Sequence, residues 1–310
     1  MTPAVTIAIC TRDRAPILAE TLAHLRATVG EAPDAVEVLM VDNGSSDATP
    51  EVAARFADWP AFRSVTEPRP GLSHARNRAL AASAAEWLLY LDDDAFVWPG
   101  WLDALRGAIA REGVVLIGGP IEPRFEAPPP AWFDPASVRR TFGPEGPLSD
   151  AAAREGFSGG NLGVRRSALE AVEGFDGRLG MIAGTLGLGE ETELAGRLVD
   201  RFGNATWHAP AMGVDHLEPS WKQTPRYVAR RAFVNGRQAW RYVGGGRGRK
   251  AGFSALKAVK QAGTGLLRLP LAVVRPGALH GVLKGLSTGA GAAVGVVRAA
   301  RSSGTANGDA

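Results

Sequence analysis

Cysteine is nearly absent from this sequence: Cys10 is the only one in 310 residues. A single thiol excludes an intrachain disulfide and suits a reducing compartment. It lies inside an apolar run, where a cysteine ordinarily packs rather than reacts. No stretch supplies the roughly 20 uninterrupted apolar residues of a transmembrane helix. The longest weakly apolar stretch, 285–297, is short and glycine-rich. Met1-Thr2-Pro3-Ala4 carries no basic leader and runs directly into an apolar segment, so no signal peptide is expected. There is no internal repeat. Acid is also scarce at one end. From Lys222 onward there are 16 Lys and Arg and a single acid, Asp309, leaving 19 basic and 31 acidic residues before it. A formal net charge of +3 therefore hides a front of about −12 and a tail of about +15.

What is present reads as globular, with 45% hydrophobic and 22% charged residues. The first 120 residues alternate in a βα rhythm. Strands are expected at 5–10, 36–41, 62–66, 86–91 and 114–117. Helices are expected at 15–28, 47–57, 72–85 and 99–111, with Asp47 as an N-cap before Pro50. Strands alternating with helices of this length imply a doubly wound, mostly parallel sheet. The rhythm breaks at 122–147, which includes Pro128-Pro129-Pro130 and reads as a lid or a disordered loop. Order resumes at 156–164. A helix follows over 190–202, with acids in its first turn where the helix dipole favours them. From Pro225 the chain is basic, helical and interrupted by glycine, and 301–310 reads as a disordered end.

The most informative stretch is Trp87-Leu88-Leu89-Tyr90-Leu91-Asp92-Asp93-Asp94. The apolar run reads as a strand buried on both faces. Three carboxylates at its end are costly without a positive partner, and hard oxygens suit Mg²⁺ or Mn²⁺. Asp92 and Asp94, two apart, share one face if the strand continues. The carboxyl end of a parallel strand is also where α/β sheets hold ligands. Other polar groups end strands on the same edge: Thr11-Arg12-Asp13-Arg14 after the first, and Asp42-Asn43-Gly44-Ser45-Ser46-Asp47 after the second. Arg69-Pro70-Gly71-Leu72-Ser73-His74-Ala75-Arg76-Asn77-Arg78 opens a helix toward that edge with cations suited to anions. Within Gly189-Glu190-Glu191-Thr192-Glu193-Leu194, one acid could serve as a general base or only as a dipole partner. Alone, each motif has a plain structural reading as a turn, a cap or a solvated face. Together they place three polar strand ends on one sheet edge.

In this order the motifs resemble the family 2 inverting glycosyltransferases of the GT-A fold, over about residues 4–220. The resemblance implies an α/β, doubly wound, mostly parallel sheet flanked by helices, as a catalytic domain over 1–221. A basic helical extension over 222–300 and the tail 301–310 follow. It implies that Thr11, Arg12 and Asp42 hold the nucleoside, that Arg76 lies near base or phosphate, and that Asp92 contacts the ribose region with Asp93 beside it. Asp94 would hold the metal. Glu191 falls on the base position, with Glu190 the alternative. Gly160 and Asn161 lie in the acceptor-side strand, and His216 stands where some GT-A enzymes carry a histidine metal ligand. The implied cofactor is a divalent metal, Mg²⁺ or Mn²⁺. The implied partners are a nucleotide-diphosphate sugar donor and a glycan or lipid-linked acceptor, as in cell-envelope polysaccharide or glycolipid synthesis.

The tail interleaves Lys and Arg with Phe253, Leu256, Leu266, Leu267, Leu269, Leu271, Val273 and Val274, which suits a helix lying on an anionic membrane surface. It has few aromatics, and no nucleic-acid partner is expected. The corresponding location is cytoplasmic, peripheral on the inner face of the membrane. The competing class is a non-catalytic module that binds nucleotide sugar or glycan on the same fold. A nucleotidyltransferase would show a glycine-rich loop after the first strand, and Thr11-Arg12-Asp13-Arg14 is not one.

Overall fold

A computed structural model describes residues 3–31, 35–182, 185–242 and 247–301. Most of the expected 301–310 tail thus lies outside the described residues, as do Ala183, Gly184 and residues 243–246. The chain forms two compact units. The first comprises Met1–Arg124, Val138–Thr185 and Glu190–Leu217. The second comprises Phe125–Ser137, Leu186–Gly189 and Glu218–Ala310.

In the first unit the strands are β1 (Val5–Thr11), β2 (Val36–Asp42), β3 (Phe62–Thr66), β4 (Trp87–Asp92), β5 (Ala95–Val97), β6 (Leu116–Gly118), β7 (Ile121–Phe125), β8 (Asn161–Arg165), β9 (Thr206–His208) and β10 (Val214–Glu218), the ends of β7 and β10 reaching the second unit. The helices are α1 (Ala15–Val29), α2 (Thr49–Arg55), α3 (Leu72–Ala82), α4 (Trp101–Ile109), α5 (Asp150–Glu155), α6 (Arg166–Ala171) and α7 (Glu190–Phe202). The main sheet runs β3-β2-β1-β4-β8-β6-β9, and a smaller one runs β5-β10-β7. Strands β3, β2, β1 and β4 are mutually parallel, whereas β8 is antiparallel to both β4 and β6.

The continuous apolar runs of β1, β2 and β4 follow from burial on both faces. Ile7, Ile9, Val38, Met40, Leu89 and Leu91 face one core with Leu18, Leu22 and Leu25 of α1 and Trp101 of α4. The alternate residues Ala8, Leu39, Val41, Leu88 and Tyr90 face the other, with Ala75 and Ala79 of α3 and Leu194 and Leu198 of α7. Each fully buried leucine contributes about 2 kcal/mol of apolar transfer. The pairing aligns the strand ends: Thr11 stands beside Asp42, Asp42 beside Thr66, and Cys10 beside Asp92.

Two sequence expectations need correcting. Asp47 does not occupy the N-cap of α2, where Ala48 sits. Its carboxylate instead accepts from Thr49 N–H and Oγ1 and, across the gap, from Ala15 N–H at 2.9 Å. It therefore ties the starts of α1 and α2 together. The segment 122–147 is not a structureless loop. It contains most of β7, and residues 125–137 belong to the second unit, where Trp132 and Phe133 pack on His280.

The second unit is built on α8 (Pro225–Gln238), α9 (Arg247–Val274) and α10 (Pro276–Arg301). Thr224 caps α8 by accepting from Tyr227 N–H, with Pro225 in the first helical position. The helices cross at glycines. A Cβ on Gly236 of α8 would lie 2.0 Å from the Thr288 carbonyl, and one on Gly291 of α10 would lie 1.9 Å from the Phe233 carbonyl. Only glycine permits that backbone approach.

Candidate active site

The acidic strand end is built by β4, by the turn into β5, and by β10. Antiparallel pairing sets His216 opposite Ala95, and Leu217 N–H donates to the Asp94 carbonyl. The imidazole thereby meets two of the three aspartates: its Nε2 lies 3.0 Å from Asp94 Oδ1 and 3.5 Å from Asp92 Oδ2. Asp92, Asp94 and His216 each offer one ligand atom, all within 4.8 Å of one another. Adjacent ligands of an octahedral ion bound at about 2.1 Å stand about 3 Å apart, so this donor set fits Mg²⁺ or Mn²⁺. Burial alone would depress the His216 pKa, but its hydrogen bonds to Asp92 and Asp94 push it up to about 9. Burial likewise works against the Asp92 charge, and His216 outweighs it, lowering the Asp92 pKa. The site favours positive charge.

Asp93 points elsewhere. It accepts from Thr11 Oγ1 at 2.7 Å and pairs with Arg14 Nε at 2.9 Å, while its carbonyl accepts from Thr21 of α1. Burial raises its pKa to about 7. Arg14 also pairs with Asp94 through Nη2. The Thr11 hydroxyl is thus engaged inside the protein, and Arg14, which the motif contained without a role, anchors two of the three acids. Arg12 is partly exposed beside Asp13. Asp42 accepts from Ser45 N–H at 2.9 Å at the end of β2.

The next wall comes from α3. Asn43 donates to the carbonyls of Glu67 and Arg69 and accepts from Gly71 N–H, which shapes the loop launching the helix. Glu67 supports the same loop through the Arg69 backbone and guanidinium, which hold its carboxyl down at about 2. Glu67 sits alone before Pro68, and no sequence pattern marks it.

Arg76 of α3 is 2% exposed and serves three carboxylates. It lies 3.1 Å from Glu190, 3.4 Å from Glu191 and 3.9 Å from Asp92. Its guanidinium sits over the rings of Phe175 (5.2 Å) and Tyr90 (5.9 Å). Burial opposes its charge, but Glu191, Glu190 and Asp92 together raise its pKa. The structure therefore brings Arg76 between Asp92 and the two glutamates.

The two glutamates at the start of α7 differ. Glu190 is buried, and its Oε2 has no hydrogen-bond partner among the described residues. Burial, then the neighbouring Glu191, push its pKa up to about 8. The Glu191 side chain is 21% exposed and accepts from Gly159 N–H at 3.2 Å and from Arg76. Gly159 and Gly160 pass close to these groups. A Cβ on Gly159 would lie 2.1 Å from Arg76 Nη2 and 2.4 Å from Glu191 Oε1, and one on Gly160 would lie 2.7 Å from Asp92 Oδ2. Asn161 is fully buried: Trp101 Nε1 donates to its Oδ1, and its Nδ2 donates to the Met212 carbonyl at 2.6 Å. Both ends of that side chain are engaged in holding β8. The Cys10 thiol is pushed up to about 12 by burial and stays protonated.

Residues 6–173 match the family described as glycosyl transferase family 2. The N-acetylglucosaminyl-diphospho-decaprenol L-rhamnosyltransferase of Mycobacterium tuberculosis is 30% identical over 250 residues, covering 70% of this chain and 76% of that protein. EpsH of Bacillus subtilis is 26% identical over 117 residues, 37% of this chain, and the match spans a third (33%) of its length. Among solved structures, the mannosyltransferase PcManGT of Pyrobaculum calidifontis, in complex with GDP-Man and Mn²⁺, superposes with a TM-score of 0.56 at 21% identity, covering 98% of this chain and 77% of that one. With a family match over more than half its length, and with the mostly parallel GT-A sheet in place, the chain belongs to glycosyl transferase family 2.

Proposed function

We propose that the protein transfers a sugar from a nucleotide-diphosphate donor to an acceptor hydroxyl, with inversion at the anomeric carbon. The observation that carries this reading is one buried guanidinium, Arg76, joining Asp92 of the candidate metal cluster to Glu191, the more exposed of the two glutamates. In this reading Asp92, Asp94 and His216 hold the divalent ion, which would supply Lewis-acid stabilisation of the leaving diphosphate. Glu191 takes the proton of the acceptor hydroxyl as general base. Arg76 and Gly159 N–H orient that carboxylate, and the closely packed Gly159-Gly160 backbone keeps it from turning away. Glu190, buried and paired with the guanidinium at 3.1 Å, acts as a support for Arg76. Thr11 and Asp42 lie on the strand-end edge suited to a nucleoside, with Arg12 beside them. Asp93 supports the site from within through Thr11 and Arg14.

The rhamnosyltransferase relative is named for a diphospho-decaprenol-linked acceptor. That name supports a glycan or lipid-linked acceptor here, as in cell-envelope polysaccharide or glycolipid synthesis. The basic second unit fits association with an anionic membrane surface. No helix among the described residues is long and apolar enough to cross a membrane. The test is a panel of nucleotide sugars incubated with the purified protein and Mg²⁺ or Mn²⁺. The proposal expects one donor to be turned over only with metal. Tight donor binding with no hydrolysis or transfer under any condition would instead assign a binding module.

A further inference from the structure

Helix α9 is built inside out. The side it turns toward α10 is small: Ser254, Ala258, Ala262 and Gly265, with Gly285 and Gly289 of α10 facing them. A Cβ on Gly285 would lie 2.8 Å from Gly265 Cα, and one on Gly289 would lie 2.9 Å from Ala262 N. The opposite side is large and apolar. Phe253, Leu256, Val259, Leu266, Leu267 and Leu271 are all exposed, with Val259 at 73% and Leu267 at 80%. Phe253, Leu256, Val259, Leu267 and Leu271, spaced by three, four or eight residues, gather into one stripe along the helix, with Leu266 at its edge. A helix facing water ordinarily shows the reverse pattern, large residues inward and polar residues outward. Small residues between helices and large ones outward is the arrangement of helices whose surroundings are lipid.

The charges choose the occupant. Arg249 and Lys260 lie on the stripe, exposed, and Arg268 flanks it. No acid occurs in the sequence from 219 to 308. A second copy docked through the same face would bring two rows of cations together without an acid to answer them. An anionic bilayer surface answers both the apolar stripe and its cations. The helix is not apolar enough to span. We infer that α9 lies in the plane of an anionic membrane surface, with Leu256, Val259 and Leu267 inserted below the headgroups and Arg249, Lys260 and Arg268 among them. This rests on the membrane reading of the basic unit proposed above and assigns it to one helix face.

The test uses the full chain and sedimentation with vesicles of phosphatidylcholine, with or without phosphatidylglycerol. Wild-type protein should partition onto the anionic vesicles and be released by salt. Leu256→Gln, Val259→Gln and Leu267→Gln combined should weaken partitioning about a hundredfold, since each buries part of an aliphatic side chain in the interface. Arg249→Gln with Lys260→Gln should weaken it roughly fivefold per cation, on anionic vesicles only. All these side chains are exposed, so the far-UV spectrum and thermal transition should be unchanged, as should donor hydrolysis in solution. Unchanged partitioning of both variants would overturn the α9 assignment while the membrane reading survives on another surface. Failure of wild-type protein to bind anionic vesicles would overturn both. A dimer in solution that the apolar variant dissolves, with no vesicle binding, would give the face to a second copy.

Discussion

Gly159→Ala changes no functional side chain, yet it should disable the site. The new methyl would lie 2.1 Å from Arg76 Nη2 and 2.4 Å from Glu191 Oε1, where ordinary contact begins near 3.4 Å. A clash with the end of a long side chain is usually relieved by rotation. Arg76 has little room to rotate, being 2% exposed, bound to Glu190 at 3.1 Å and enclosed by Phe175 and Tyr90. The carboxylate of Glu191 would therefore move by roughly 1 Å, and a displacement of that size costs about a hundredfold in rate, or about 2.7 kcal/mol of barrier. Overpacking should add a stability loss of about 1–3 kcal/mol, seen as a lower Tm. The assay is steady-state kcat/KM with donor and acceptor, alongside Tm and nucleotide affinity, the last changing least. Wild-type kcat/KM with an unchanged Tm would show that Arg76 and Glu191 are not held as described, and the reasoning would fail.

Three further outcomes follow from the same geometry. Glu190 has a folded-state pKa raised from 4.5 to about 8, so the folded state binds the extra proton between those values and stability falls as pH rises through that window; Glu190→Gln should flatten this part of a Tm-versus-pH profile. His216, pushed up to about 9 without metal, must lose its proton to become a ligand, so Mn²⁺ affinity measured calorimetrically should climb from pH 6 toward pH 9 and lose most of that slope in His216→Gln. Asn161→Leu leaves the Met212 carbonyl and the Trp101 N–H without partners, a cost of about 1–3 kcal/mol each; chemical denaturation should show that loss, with acceptor KM in the surviving folded protein little changed.

The legible parts of this molecule were those governed by periodicity and by charge density. The apolar run into Asp92, Asp93 and Asp94 marked both a buried strand and a place needing positive charge, and both are observed. Helix α7 begins at Glu190 and ends at Phe202, as its acidic first turn and spacing indicated. Direction was not legible. Of the two arginines after β1, Arg14 turns inward to Asp93 and Asp94 while Arg12 stays near the surface, a choice made by tertiary packing. The insertion of β8 antiparallel between β4 and β6 has no mark in composition, because a strand buried on both faces reads the same in either direction. Asn161 looks polar and available in sequence, yet its side chain holds Trp101 and Met212. Residues 125–137 read as a proline-rich excursion because the partner ring, His280, lies far along the chain.

In the proposed mechanism Glu191 removes the acceptor proton beside an Asp92–Asp94–His216 metal cluster. Turnover and donor affinity of Glu191→Gln, measured with saturating metal, test it most directly. The substitution keeps the side-chain shape and an acceptor oxygen for Gly159 N–H and Arg76, and removes the basicity. Transfer should fall by about a thousandfold, within the usual range for losing a general base, with the donor Kd changed by no more than a few-fold. Transfer near the wild-type rate would remove Glu191 from the chemistry and contradict the account.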